Sequence, residues 1–466
     1  MDFASWSPIV GPPPAIPLKN PLHTTSSRFG SYWDHLPLEI KNELTIIDYA
    51  GQKLLNGPNQ LRGDNSAGTL AGLSVRFALE FNMDVSARDV SHTQVERHMR
   101  LCIAATVGLE KMITISGSEP TLAEAAYRLM KSTKKSAVRH LAEHSDLNSI
   151  DRGRRGELVA TLLIMQAYDA ARAISNGRCV SVANFMEALL PASKYKTLLG
   201  SRPSSLPMDS DTAETFEEIF KDYGLWFNHV IKIEKKEMIS IDHLWKFVTR
   251  GAMILCATGQ EGIDIVLPVH YLTQNLGPSS VTAVVVQVKN AERHTDALSP
   301  ALFDGMDSVI KSLMFSSIGV DSVPDSDSEV TSGPAEPPEK KQKIQADLKP
   351  VVRLVFSLAS PKPAVVFRAR PGKRHHPDLR QLTTFDIWLA GLSSETFRPV
   401  QENDLQSYKQ LLERSLMPHD AFKLREEPNE MGKAARQARG PCRRRLAPLA
   451  IPGCSHNSIH IPDPSL

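Results

Sequence analysis

Asp264, Gln287 and Lys289 lie in or at the end of two apolar runs within residues 262–290, GIDIVLPVHYLTQNLGPSSVTAVVVQVKN. Asp264 lies in the first apolar run, and Gln287 and Lys289 lie at the end of the second. Side chains two apart on a strand share a face, so we expect Gln287 and Lys289 to point the same way. Burying an acid and a lysine costs free energy, and a functional role for the pair would explain why both are kept. This stretch is therefore the first candidate for chemistry.

The two apolar runs are typical of strands joined by a polar turn at 275–280. Strand alternation places Asp264 with Val266 on one face. The opposite face then carries Ile263, Ile265 and Leu267. If the Asp264 face meets that of Gln287 and Lys289, a carboxylate, an amide oxygen and an ammonium converge at one edge of a sheet.

Such a set of groups could bind a divalent cation. Mg²⁺ and Mn²⁺ take oxygen ligands, usually one or two carboxylates with carbonyls and water. Asp264, the side-chain oxygen of Gln287 and the backbone carbonyl of Val288 could supply half of such a shell. The cation would lower the pKa of a bound water and offset the charge of a phosphate under attack. Lys289 could orient that water or stabilise the developing negative charge.

A second acid occurs at the start of an apolar helix. The segment 152–175, RGRRGELVATLLIMQAYDAARAIS, is apolar on nearly every face and is expected to be buried. Glu157 lies in its first turns and could hold a second water or metal. Alternatively, the helix N-terminus favours this carboxylate, which pairs with Arg154 or Arg155.

Basic residues near this candidate site could neutralise phosphates. Charge runs are more often solvated faces, and no pattern here indicates reading of particular bases. The candidate nucleic-acid contacts are Arg152, Arg154, Arg155 and Arg293.

The arrangement resembles the PD-(D/E)XK nuclease superfamily. An acid on a helix is followed by G-x-D on one strand and Q-x-K ending the next. Gln287 replaces the usual glutamate, as in Mrr-type methyl-directed enzymes, and this removes one negative charge. The resemblance implies a restriction-endonuclease-like α/β (α+β) fold with a mixed central sheet flanked by helices. It also implies Mg²⁺- or Mn²⁺-dependent cleavage of DNA, or of RNA, with Asp264 and Gln287 as ligands and Lys289 as the catalytic lysine.

A second hypothesis is a catalytically inactive scaffold of the same fold. It would act as a binding or interaction protein, derived from a mobile element or directed at a host. In this interpretation Lys289 is a strand-end lysine whose stem is buried, and Asp264 is an acid near a turn. The blocks GRRGELV, GIDIVLPV and QVKN also resemble uncharacterised proteins of mushroom-forming fungi, a likeness that implies no mechanism.

The remaining pattern predicts the elements that position these residues. Strands are expected in AMILCAT, VVRLVFSLAS and AVVFRAR, and helices at 95–113, 299–317 and 385–392. Residues 192–211 are expected to form a polar loop. A mostly helical region at 36–145 is interpreted as a packing or partner-binding unit.

Composition divides the chain further. We expect disorder at 1–35 and in an acidic insertion at 320–349, and a partly disordered basic tail at 401–466. The nuclease-like core would then comprise 146–319 and 350–400. Lys340, Lys341 and Lys343 form a weak nuclear-targeting pattern.

Net charge, cysteine content and the absence of known motifs argue against several classes of protein. The 466 residues have a formal charge of only +2, so nucleic-acid binding would need local patches. Five scattered cysteines argue against a disulfide scaffold or a zinc site and favour an intracellular, cytoplasmic or nuclear protein. No P-loop, dinucleotide fingerprint or G-x-S-x-G elbow occurs. His229, His243 and His270 are isolated and are interpreted as structural. The oligomeric state stays open.

Overall fold

The computed structural model describes most of the chain between Glu43 and Glu413. The described ranges are 43–61, 66–81, 85–105, 112–133, 135–144, 152–175, 179–204, 213–290, 300–314, 349–368 and 383–413.

Nine strands of the described residues form one mixed sheet. Its strands are β3 (Val180–Ser181), β4 (Tyr223–Leu225), β5 (His229–Lys232), β6 (Ala252–Leu255), β7 (Ile265–Tyr271), β8 (Val281–Lys289), β9 (Val351–Ser357), β10 (Ala364–Arg368) and β11 (Thr384–Ala390). A separate antiparallel pair consists of β1 (Arg100–Ala105) and β2 (Met112–Ser116).

The centre of the large sheet is the antiparallel pair β7–β8. On one side β9 lies parallel to β8, and β11 lies parallel to β9, with β10 antiparallel at that edge. On the other side β6 and β4 share the free edge of β7, both antiparallel to it. Parallel neighbours need a crossover connection, and the described helix between β8 and β9 is Pro300–Met314.

Helices pack against both faces of the sheet and form the N-terminal part of the described chain. They are α1 (Glu43–Leu55), α2 (Ser66–Phe77), α3 (Val85–Arg97), α4 (Pro120–Lys131), α5 (Ala137–Glu143), α6 (Arg152–Ser175), α7 (Val182–Leu189), α8 (Ala192–Leu199), α9 (Phe216–Phe220), α10 (Ile241–Thr249), α11 (Pro300–Met314) and α12 (Glu402–Glu413). The expected α+β class, a mixed sheet flanked by helices, is confirmed.

Strand β8 shows why the sheet is buried on both faces. Val284 and Val286 pack in the core formed with α6, and Val285 packs in the opposite core formed with α10 and α11. A central strand covered on both sides should read as a continuous apolar run. The valines of β8 form such a continuous apolar run. The polar residues Gln287 and Lys289 follow it at the end of the strand, where helices cover the sheet less completely.

Buried ion pairs fasten the helices to one another and to the sheet. Arg76 on α2 forms a two-pronged pair with Asp169 on α6, with both N–O distances 2.8 Å. Arg172 on α6 pairs in the same way with Glu124 on α4. Arg353 on β9, which is 0% exposed, contacts Asp386 on β11 at 2.6 Å. Two-pronged guanidinium–carboxylate pairs fix orientation as well as distance.

Three sequence-based expectations about these elements are wrong. Residues 95–113 are not one helix, because α3 ends at Arg97 and β1 begins at Arg100. Residues 192–211 begin with helix α8 rather than a loop, and 385–392 falls on strand β11 rather than on a helix. Segments of four to eight apolar residues are ambiguous by periodicity alone, and in β11 pairing with β9 decides the outcome.

Several expectations lie outside the described residues. These are the disorder at 1–35 and 320–348, the basic tail from 414 onward, and the cluster at Lys340, Lys341 and Lys343. Within the described ranges every helix is too short or too polar to cross a lipid bilayer.

Candidate functional site

The loop before β7 is held against α11 by a glycine contact. Gly262 has φ +87°, a conformation that residues with a side chain rarely adopt. A Cβ added there would lie 2.2 Å from the carbonyl oxygen of Gly305 on α11. The backbone of the loop therefore rests directly on the helix, and this contact places Asp264 two residues later.

Asp264 ties three strands together at one end of the sheet. Its Oδ2 accepts a hydrogen bond from the backbone N–H of Val288 on β8 at 2.6 Å. Its own N–H donates to the carbonyl of Val286 at 2.9 Å, and its carbonyl accepts from the N–H of Cys256, just after β6, at 2.8 Å. The acid of the G-x-D motif thus contacts the strand that carries Q-x-K.

Burial dominates the electrostatics of this carboxylate. Desolvation raises the pKa of Asp264, whereas the Val288 amide and the charge of Lys289 lower it, with burial prevailing. The ionised form is therefore less stable here than in water. Additional positive charge at this position would stabilise it.

Gln287 has an unsatisfied oxygen. The residue is 6% exposed, and its Oε1 is buried without a hydrogen-bond partner among the described residues. A buried acceptor without a partner costs about 1–3 kcal/mol. This orphaned oxygen therefore identifies a position where a donor or a cation would be stabilising.

The structure brings part of the expected site together. Val266 and Val285 belong to the same core, on the α10 and α11 side, and alternation along β8 places Gln287 on the face of Val285. Asp264 lies just before β7 and contacts β8 through the Val288 amide. The half-buried Lys289 follows on the same face and makes no ion pair within the described residues. Ile263 also packs in this core, so its expected place on the opposite face is wrong, because regular pairing of β7 begins only at Ile265.

Glu157 reaches the same region from the other side of the sheet. A Cβ on Gly156 would lie 2.9 Å from the Cβ of Asn290 and 3.2 Å from Cγ1 of Val288, so α6 packs closely on the end of β8. The thiol of Cys256 is affected by both acids. Burial, then Asp264, then Glu157 raise its pKa well above the usual range. The two carboxylates are therefore neighbours of one buried thiol.

The four arginines predicted to contact phosphate differ in where the structure places them. Arg154 donates to Glu80 at 2.9 Å and to Thr258 at 3.2 Å, and Lys232 also pairs with Glu80. Arg152 is the first residue of α6, and Arg155 is half-buried near it. Arg293 lies outside the described residues.

Two residues near the site were not anticipated from the sequence. Cys256 ends the AMILC run, and Gln260 lies in the loop leading to Asp264, with its Oε1 buried and unpartnered among the described residues. Neither has a motif spacing that could have identified it, although Cys256 directly follows the end of β6 and Gln260 lies two residues before the G-x-D motif.

The donor set fits a hard cation better than a soft one. Asp264, Gln287 and Glu157 offer only oxygens, and Mg²⁺ accepts few protein ligands because it keeps several waters. The described residues contain no group of three or more His, Cys, Asp and Glu that could hold a metal. An amide or a backbone carbonyl would have to complete any site, and the unpartnered Gln287 oxygen is suited to this.

Comparison with known proteins gives one match. A family model described as "Domain of unknown function (DUF8736)" matches residues 64–308. No curated protein and no solved structure matches the chain. The matched region is just over half of the chain, includes Glu157, Asp264, Gln287 and Lys289, and ends within α11. The chain therefore belongs to the family of proteins that carry the domain of unknown function DUF8736.

Proposed function

We propose that this protein is a metal-dependent, nuclease-like enzyme that hydrolyses phosphodiester bonds of DNA or RNA. One observation carries the proposal. Gln287, whose Oε1 is buried and unpartnered among the described residues, and Lys289 flank Val288, and the backbone amide of Val288 donates to the Asp264 carboxylate.

Each residue has a role that agrees with its surroundings. Asp264 uses Oδ2 for the Val288 amide, and no donor among the described residues contacts its Oδ1. This oxygen, with Gln287 Oε1 and the Val288 carbonyl, would hold Mg²⁺ or Mn²⁺. When bound, the cation supplies an acidified water and charge for the phosphate. Lys289 carries the positive charge that stabilises the attacked phosphate, and Glu157 holds a second water or cation.

The surrounding framework supports the proposal. A helix with an acid precedes an antiparallel hairpin, and a further helix then leads to a strand parallel to the second hairpin strand. This is the context on which the resemblance to PD-(D/E)XK nucleases rests. Arg152, Arg154 and Arg155 begin α6, where the helix dipole also favours phosphate.

A plasmid-nicking assay with the full chain tests the proposal. We expect nicking with Mg²⁺ or Mn²⁺ that is lost on addition of a chelator. Asp264→Ala and Lys289→Ala should each lower the rate by about a hundredfold or more. Glu261→Gln removes an exposed charge close to Asp264 in the sequence, and Lys362→Ala removes an exposed charge between β9 and β10; both variants should keep the wild-type rate. Equal nicking by wild type, Asp264→Ala and Lys289→Ala would refute the assignment.

One observation favours a second candidate, a non-catalytic scaffold that binds another protein. The β1–β2 pair exposes Leu101, Ile103, Ile113 and Ile115, each at 40–58%, in the helical N-terminal part expected to bind a partner. Contiguous exposed apolar side chains often mark interaction surfaces. This candidate predicts thermal unfolding curves that coincide with and without Mn²⁺, whereas the metal-dependent enzyme should be stabilised by Mn²⁺.

A further inference from the structure

A second group of reactive side chains lies away from the Asp264 site. Ser118, just before α4, places its Oγ 2.8 Å from Nε2 of His229, the first residue of β5. The other ring nitrogen, Nδ1, lies 2.8 Å from Oδ1 of Asn228. A serine, a histidine and an asparagine thus form a continuous hydrogen-bonded chain.

The neighbours of Asn228 determine which nitrogen of His229 carries the proton. The Asn228 side-chain amide donates through Nδ2 to the carbonyl of Pro120 at 3.2 Å, and it also lowers the pKa of the nearby Glu124 carboxylate. Its Oδ1 must therefore accept, so Nδ1–H of His229 is the donor. Nε2 is left unprotonated and accepts from the Ser118 hydroxyl. This is the tautomer that a serine nucleophile requires.

The histidine is held in its neutral form. His229 is 0% exposed, and burial, followed by the charge of Arg250, lowers its pKa to about 4. At neutral pH the imidazole is therefore unprotonated, and its Nε2 can accept a hydrogen bond from the Ser118 hydroxyl.

The positively charged guanidinium of Arg250 lies beside the Ser118 hydroxyl. Nη2 of Arg250 donates to the carbonyl of Ser118 at 2.5 Å and lies 3.4 Å from its Oγ. Arg250 is exposed, and its Nε and Nη1 have no hydrogen-bond partner among the described residues. The guanidinium can therefore stabilise negative charge next to Oγ and bind an anionic group of a substrate.

We propose that Ser118 is the nucleophile of a second active site, which acts on carboxylic esters whose acyl group carries a negative charge. Oγ of Ser118 attacks the ester carbonyl carbon while its proton moves to Nε2 of His229. The bond to the alkoxide breaks, and the alkoxide takes that proton and leaves as the alcohol. Water then attacks the acyl-serine, passes a proton through His229, and releases the carboxylic acid and the free serine. Asn228 positions the ring, and Arg250 selects for the anion.

The chain contains a matched comparison. Ser240 and His243 also lie 2.8 Å apart, through Oγ and Nδ1, at the start of α10. The two residues are three apart in sequence, as in a local helix-end contact, and among the described residues no side chain orients the other ring nitrogen. Ser240 should therefore be unreactive.

A fluorophosphonate probe tests the nucleophile. The serine oxygen bonds to phosphorus, fluoride leaves, and the proton goes to His229. We expect one adduct on the full chain, mapped by peptide mass spectrometry to Ser118. Ser118→Ala should abolish labelling, His229→Gln should slow it about a hundredfold, and Ser240→Ala should leave it unchanged. Asn228→Ala should lower the maximal labelling rate without changing the half-saturating probe concentration. Absence of an adduct on folded wild type, or equal labelling of Ser118→Ala, would overturn the proposal.

Ester hydrolysis tests the substrate class. The p-nitrophenyl monoester of glutaric acid should have a higher kcat/KM than p-nitrophenyl acetate, and Arg250→Gln should remove about tenfold of this preference. Circular dichroism of each variant verifies folding. If Ser118 is labelled but the wild type does not prefer the anionic ester, the proposed role of Arg250 and the proposed substrate class are wrong.

Discussion

The carboxylate of Asp264 accepts a hydrogen bond from the backbone amide of Val288 at 2.6 Å. This bond joins the two halves of the D…QxK pattern, which lie on neighbouring strands. It also gives Asp264 a structural role that is independent of any metal. Structural and chemical roles of this acid can be separated by comparing two substitutions.

Asp264→Asn keeps an acceptor for the Val288 amide but removes the charge, whereas Asp264→Ala removes both. We expect both variants to lose nicking activity. Only the alanine variant should lose stability, by about 1–3 kcal/mol, because it leaves the amide unpaired. Urea unfolding measures the difference. If the asparagine variant keeps wild-type nicking, the carboxylate is not a metal ligand.

Gln287→Glu adds the carboxylate that the resembling nucleases have at this position. We expect the Mn²⁺ concentration for half-maximal stabilisation to fall about tenfold, since an extra ligand charge strengthens cation binding. Without metal the variant should unfold more easily, because a buried carboxylate near Asp264 is unfavourable. Thermal unfolding over a Mn²⁺ series measures both effects. Gln52→Glu, on an exposed position of α1, should show neither.

Gly262→Ala should be much more disruptive than Gly259→Ala. Both glycines have positive φ, +87° and +78°, but a Cβ at Gly259 meets nothing within 4 Å. Gly259→Ala should cost about 1 kcal/mol for the backbone conformation alone. Gly262→Ala adds the clash with Gly305 and should cost at least about 2 kcal/mol more. Equal unfolding midpoints in urea would contradict the contact between the loop and α11.

His229 predicts an acid-dependent loss of stability. Its pKa is about 4 in the folded protein and about 6.5 when unfolded. The unfolded chain therefore binds the proton more readily, so stability is complete above pH 6.5 and falls as the pH drops towards 4. Burial is the largest cause of the low pKa, and the charges of Arg250 and Arg76 lower it further.

The full effect of His229 is about 3 kcal/mol. His229→Gln should flatten the stability curve between pH 6.5 and 4, and His243→Gln should not, since His243 is only half-buried. Chemical denaturation at several pH values gives both curves. Parallel curves for wild type and His229→Gln would contradict the low pKa.

The sequence predicted the β7–β8 hairpin and α6, which carry the candidate site, better than it predicted the surrounding elements. The β7–β8 hairpin and α6 follow from long, regular apolar patterns. Strand β11 was mistaken for a helix because TFDIWLA is too short to show a period, and only its pairing with β9 defines it. Strand β1 was missed because Leu101 and Ile103 are exposed, contrary to the usual burial of such side chains.

The Ser118–His229 contact could not be predicted from spacing. The two residues are 111 positions apart, and a contact over that distance is produced by the packing of the N-terminal helices on β5. His229 was interpreted as an isolated structural histidine because nothing near it in sequence resembled a partner except Asn228. Sequence patterns identify residues on one element, whereas this group draws on a loop and a strand far apart in the chain.

The buried ion pairs on α6 constrain how the protein can be shortened. Asp169 and Arg172 have their bidentate partners, Arg76 and Glu124, on helices that precede the predicted nuclease-like core. A fragment starting near residue 146 would retain both charges of α6 without these counterions and would expose apolar helix surface. Recombinant fragments should therefore begin before α2, and a fragment starting near residue 146 should be insoluble even though its sheet is complete.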